Sequence, residues 1–128
     1  MKALLDTHAF LWWITNDSRL SARVLRLVRD PSTSVYLSVA SGWEIAIKVG
    51  LGKLELSDDL DGIIQEQLTT NRIDALPVQM SHALFVRRLP KHHRDPFDRL
   101  LIAQSLVEGM PLVTSDPLIQ HYPVQTIW

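Results

Sequence analysis

At 128 residues, 46% hydrophobic and 21% charged, the chain has the size and composition of one globular domain, 1–128, able to bury a single core. A formal net charge of −1 excludes a globally basic nucleic-acid binder, so any contact with a polyanion must come from a local cluster. Cysteine is absent, which excludes disulfides and thiolate metal sites, and no apolar run reaches the roughly 20 residues that span a bilayer, so no membrane association is expected.

The N-terminal Met1-Lys2-Ala3-Leu4-Leu5-Asp6 has no apolar signal region and no cleavage pattern, and a cytoplasmic setting is the expectation. Residues 2–5 read as a compact apolar strand ending at Asp6. Asp6-Thr7-His8 has the pattern of a helix cap, and Trp12 and Trp13 lie in the apolar run that follows, suited to core or dimer packing. A helix over 20–28 starts from Ser18 or Ser21, and Val35-Tyr36-Leu37 is a second strand. Ser41-Gly42-Trp43-Glu44 fits a capping box opening a helix over 43–49, with Gly50 closing it. Amphipathic helices are expected over 60–68 and 81–89, with a third strand over 73–78 between them. The clearest helix is 97–108, opened by Asp95-Pro96 and closed by Gly109 and Pro111. Strands at 112–114 and 124–127 complete the set. Alternating strands and helices, with strands apolar on both faces, predict a three-layer α/β/α sandwich around a parallel sheet of about five strands.

Four acids occupy equivalent places in that scheme. Asp6 follows the first strand, Glu44 and Asp98 stand in the first turns of two helices, and Asp116 follows the fourth strand. In an open parallel sheet these positions share one edge, where ligands bind. Each acid taken alone reads first as a helix cap or a complement to the helix dipole. Together, close carboxylates repel one another unless a cation joins them, and an all-oxygen set suits Mg²⁺ or Mn²⁺.

The segments carrying these acids resemble the PIN domain, and in particular the VapC-type toxins of bacterial toxin–antitoxin pairs. They are Leu4-Leu5-Asp6-Thr7-His8, Ser41-Gly42-Trp43-Glu44-Ile45-Ala46-Ile47-Lys48, Gly52-Lys53-Leu54, the stretch from His93-Arg94-Asp95-Pro96-Phe97-Asp98-Arg99 through Ile102-Ala103-Gln104, and Leu112-Val113-Thr114-Ser115-Asp116. The resemblance implies that Asp6, Glu44, Asp98 and Asp116 are catalytic acids that bind Mg²⁺, with Mn²⁺ as a substitute. It also implies an RNA substrate, a cognate antitoxin that blocks the site, and a homodimer. Asp95 is either a helper to the metal or the cap of its helix, and Thr114 or Ser115 either supports the metal through water or forms the turn.

Such a site hydrolyses a phosphodiester with a metal-activated water, leaving 5′-phosphate and 3′-hydroxyl ends. The local positive run Arg87, Arg88, Lys91 and Arg94, with Arg99 beyond it, is the candidate phosphate-binding surface. Lys48, one turn after Glu44, either pairs with that acid or holds phosphate. Trp43 and His8 read first as packing residues. Two other functions fit parts of the pattern. One is a non-catalytic RNA- or protein-binding module whose acids only cap helices. The other is a haloacid-dehalogenase-like phosphatase, which would require an acid where His8 stands.

Overall fold

The structure, a computed structural model, describes residues 1–92 and 95–128. Five parallel strands form one sheet in the order β3-β2-β1-β4-β5. They are β1 (Lys2–Leu5), β2 (Ser34–Ser38), β3 (Ile73–Leu76), β4 (Leu112–Val113) and β5 (Thr126–Ile127). The expected α/β sandwich is the fold observed. β3 stops before Pro77, which has no N–H to offer the ladder, so the third strand is shorter than 73–78.

The side chains of the strands alternate between two cores. Ala3, Leu5, Val35, Leu37 and Val113 pack on one side of the sheet, with Phe10, Val24 and Val28. Leu4, Tyr36 and Leu112 pack on the other, with Leu101 and Ile102. Period-two alternation in strands apolar on both faces is what forces the three layers. The chain runs outward from β1 through β2 to β3, then returns to lay β4 on the other flank of β1. β1 and β4 therefore flank the point where the strand order reverses.

Helix α1 (Thr7–Ile14) begins directly after β1, with the Asp6 carboxylate accepting the Ala9 N–H at 2.7 Å. The sequence shows the cap, but not the helix it opens. Helix α2 (Ala22–Arg29) is capped by Ser21, whose hydroxyl accepts the Val24 N–H at 3.1 Å. Helix α3 (Val39–Gly50) corrects the expected capping box. Its cap is Ser38, whose Oγ accepts the Ala40 N–H at 3.0 Å, so it starts a full turn before Trp43. Glu44 is consequently in the middle of the helix, not at its mouth. Helix α4 (Leu60–Thr70) is capped by Asp59.

The expected helix over 81–89 is shorter. Helix α5 (Met80–Phe85) tightens into a 3₁₀ turn, Val86–Arg88, before Pro90. Arg99 ties this end down: its guanidinium donates to the oxygens of Pro90 (2.6 Å) and Leu89 (3.4 Å), and to that of Val86 (3.0 Å), which also accepts the Leu89 N–H. Helix α6 (Pro96–Glu108) has Pro96 in its first turn and ends at Gly109, whose φ of 66° suits a residue without a Cβ. No helix among the described residues is long and apolar enough to cross a membrane.

Asp95 is the cap of α6, its Oδ1 accepting the Phe97 N–H at 2.8 Å. Asp95→Ala is expected to cost about 1 kcal/mol in urea unfolding, and Asp95→Asn to recover most of it, because the amide oxygen also accepts the bond. A residue whose charge served a metal would lose activity in the Asn variant as well, and we expect that variant to keep it.

Candidate functional site

The site begins with Asp6. Parallel pairing sets Leu5 beside Val113, and the Asp6 N–H donates to the Val113 carbonyl at 3.0 Å. The first residue past β1 is thereby held against the first residue past β4, Thr114, whose side chain hydrogen-bonds the Asp6 carboxylate. Thr114 Oγ1 also accepts the Asp116 N–H at 3.1 Å, and Asp116 Oδ1 accepts the Leu118 N–H at 2.9 Å. Asp116 thus closes a turn rather than opening a long helix.

Asp6 is only 7% exposed. Burial pushes its carboxyl above the ordinary value, and nearby Asp116 adds to that. Hydrogen bonds from Thr114 and from the Ala9 N–H, together with His8, pull the other way without cancelling the effect of burial.

Glu44 is buried on the inward side of α3. Its Oε1 accepts the Thr7 hydroxyl at 2.8 Å, and its Oε2 lies 2.8 Å from the Lys48 ammonium. Ser41 Oγ lies 2.9 Å from the same Thr7 hydroxyl. Thr7 directly follows Asp6, so this network ties the α3 carboxylate to the end of β1. From the sequence, Ser41 reads as a helix cap and Thr7 as part of one, and neither as a member of the site. The available signal was a hydroxyl beside each acid segment, which reads first as a cap.

Asp98 stands half-buried in the first turn of α6. That turn is tied to α3 through Phe97, whose ring meets Trp43 edge-on at 5.2 Å between centroids. Asp6, Thr114 and Asp116 are thus joined directly and Glu44 through Thr7, whereas Asp98 is placed by the first turn of α6, which the Phe97–Trp43 contact sets against α3. Among the described residues, no three carboxylate or imidazole groups form a ready-made metal cluster.

The remaining candidates divide. Lys48 makes the ion pair with Glu44. Ser115 is exposed. Arg87, Arg88 and Lys91 are exposed on and after the 3₁₀ turn, whereas the Arg99 guanidinium is committed to backbone carbonyls. Arg94 lies outside the described residues. A cleft of about 340 Å³ beside α1 and α3 is lined by His8, Trp12, Arg19, Lys48 and Lys53. A larger recess of about 530 Å³, lined by Trp13, Arg29 and Arg72, lies at the opposite edge of the sheet, where β2 and β3 begin.

The donor set fits a hard divalent cation. It is all oxygen, and Asp6 is a buried carboxylate whose ionised form is disfavoured by its surroundings. A cation at that edge would reverse the penalty.

Comparison with known proteins agrees with this fold. The family model of the PIN domain matches residues 3–124. The chain is 25% identical over 130 residues to a protein named Ribonuclease VapC22 from Mycobacterium tuberculosis, covering 98% of this chain and 97% of that one. Among solved structures, the fold is similar to VapBC2 from Rickettsia felis bound to a promoter DNA fragment (TM-score 0.76, 15% identity, 99% and 98% of the two chains). It is also similar to VapBC-1 from nontypeable Haemophilus influenzae (TM-score 0.66, 21% identity, 99% and 97%). With the family model spanning nearly all of the sheet and both acid-bearing strand ends, the chain belongs to the PIN domain family.

Proposed function

We propose that this chain is a divalent-metal-dependent endoribonuclease, the toxin of a toxin–antitoxin pair, built as one domain over 1–128. The observation that carries the reading is Asp6: the fold buries a carboxylate at the reversal point of the sheet, beside Thr114 and Asp116, against the cost of desolvation. The names of its relatives point the same way, since the similar solved structures are VapBC assemblies and the curated relative is called a ribonuclease.

In this reading Asp6, Asp98, Asp116 and Glu44 hold Mg²⁺ or Mn²⁺. When bound, the cation lowers the pKa of a water and neutralises charge on the phosphate. Thr114 orients Asp6, and Thr7 orients Glu44. Water is the nucleophile, so the products end in 5′-phosphate and 3′-hydroxyl. The exposed arginines of the 3₁₀ turn and Lys91 take the phosphate backbone without reading sequence. The antitoxin covers the acid edge. Val39, Trp43 and Ile47 recur every fourth residue along α3 and are exposed, Trp43 by 62%, which supports a homodimer through that face.

Asp6→Asn separates function from folding. Asparagine can still cap α1, while the buried charge is gone. The folded-state pKa of Asp6 lies above its ordinary 3.8. Its destabilising contribution is therefore absent below pH 3.8 and sets in as pH rises through the folded-state pKa. Without metal at neutral pH, the Asn variant is expected to melt no lower than the parent, with any advantage vanishing in acid. RNA cleavage is expected to fall by about two orders of magnitude or more. Mn²⁺ should raise the melting temperature of the parent and leave Asp6→Asn/Asp98→Asn unmoved. A parent that neither cleaves RNA nor responds to Mn²⁺ would reduce the chain to a binding module.

Replacing Arg87, Arg88 and Lys91 with Ala is expected to weaken RNA binding and to flatten its dependence on salt, with the Mn²⁺ response intact. Equal salt slopes for variant and parent would mean that RNA runs elsewhere, with the Lys48–Lys53 cleft as the next candidate.

A further inference from the structure

We propose that Lys48 is a built-in counterion: it occupies Glu44 in competition with a divalent cation and turns to substrate phosphate once the cation has arrived. The inference rests on the metal-dependent reading above and goes further, by assigning the order in which the site's charges are exchanged.

The geometry of Glu44 carries it. The carboxylate is buried, and both of its oxygens are engaged. Thr7 holds Oε1 with a neutral hydroxyl, which leaves the oxygen's negative charge in place. Lys48 holds Oε2 with a full positive charge at 2.8 Å. A cation approaching Glu44 meets that ammonium at contact distance, and two positive charges cannot share one carboxylate oxygen without strong repulsion. At Oε2 the cation and Lys48 therefore compete, and a cation that takes both carboxylate oxygens displaces the ammonium.

Lys48 has somewhere to go. Its side chain is 36% exposed, against 7% for Glu44, and it lines the cleft that also holds His8, Lys53, Glu55 and the Arg19–Asp17 ion pair. A flexible four-carbon stem allows the ammonium to swing without moving α3. In the cleft, the released ammonium would be open to an anionic substrate. Thr7 keeps the carboxylate in place during the exchange, because its bond to Oε1 does not involve Lys48.

This predicts effects of opposite sign from one substitution. Lys48→Met should tighten Mn²⁺ binding by about fivefold or more, the scale of one removed ion pair. It should weaken binding of a single-stranded RNA measured with Ca²⁺ in place of the catalytic cation. A purely structural ion pair gives the reverse for the metal: with its partner gone, Glu44 loosens and Mn²⁺ binds more weakly or unchanged.

Mn²⁺ affinity would be read by electron paramagnetic resonance and RNA affinity by fluorescence anisotropy, on full-length protein. Lys48→Arg, which keeps the charge, should stay near the parent. In a Glu44→Gln background, Lys48→Met should no longer tighten the metal, because the pair has already been broken. A second measurement needs no variant. Titrating the parent with Mg²⁺ should shift the ¹³Cε resonance of Lys48 well beyond that of Lys53. Unchanged or weaker Mn²⁺ binding by Lys48→Met, or a Lys48 resonance that stays still while Mg²⁺ binds, overturns the proposal and leaves the metal-dependent reading standing. A parent that binds no Mn²⁺ and cleaves no RNA overturns both.

Discussion

The molecule is organised around a buried carboxylate at the end of its central strand. A carboxylate removed from water loses solvation that hydrogen bonds only partly replace. Asp6 sits where replacements are densest. The first turn of α1 offers unpaired N–H groups and the positive end of the helix dipole, and Ala9 supplies one direct bond. The β1–β4 pairing brings Thr114 alongside as a second donor. These partners leave the carboxyl above its ordinary pKa all the same. An amide or a serine would cap α1 without that penalty, so capping alone does not account for an acid in this position.

The second arm of the site depends on where α3 starts. Because Ser38 caps it, β2 passes into helix with no loop, and the helical phase is set one turn earlier than the sequence suggests. That phase turns Ala40, Ser41, Glu44 and Ile45 inward and leaves Val39, Trp43 and Ile47 outward. A start at Ser41 would have placed Glu44 at the helix mouth, reaching back to a backbone N–H. In mid-helix it has no backbone donor within its own turn, and it takes Thr7 from α1 and Lys48 from the next turn instead. Ser41 is small enough to let α1 approach and polar enough to bond to Thr7 when buried.

Most of the scaffold was legible because its signals are local. Apolar runs of strand length, Ser21 before α2, and Asp95-Pro96 before α6 are each decided by neighbours within a turn. What escaped depended on choices between equal local signals or on distant partners. Ser38 and Ser41 are equally good caps, and the choice between them falls to the strand that must end before the helix begins. Helix α1 was hidden because its aromatic and β-branched residues read as an apolar run, although Asp6 already marked its start. Arg99 reads as one more positive charge in a basic stretch, and only the fold shows that its guanidinium closes the carbonyls ahead of Pro90. The acids themselves were legible as positions, whereas Thr7, which links two of them, required contact across 37 residues.

Charge sets the remaining constraint. A chain of net charge −1 with carboxylates at the ends of its central strands repels a polyanion there, and the exposed arginines at the 3₁₀ turn offset this only by being local. In the proposed reading, a cation bound among the acids would make the field that the phosphate meets less negative. Cation and RNA would then assist each other's binding to the same extent, since coupling between two ligands of one protein is reciprocal. The ion pair at Glu44 acts on the same balance. Without a divalent cation, Lys48 neutralises one acid and spares the fold a second uncompensated buried charge beside that of Asp6. On the proposed reading, the arrangement that stabilises the metal-free chain is the one a bound cation would have to undo, so stability without metal would come at the expense of affinity for it.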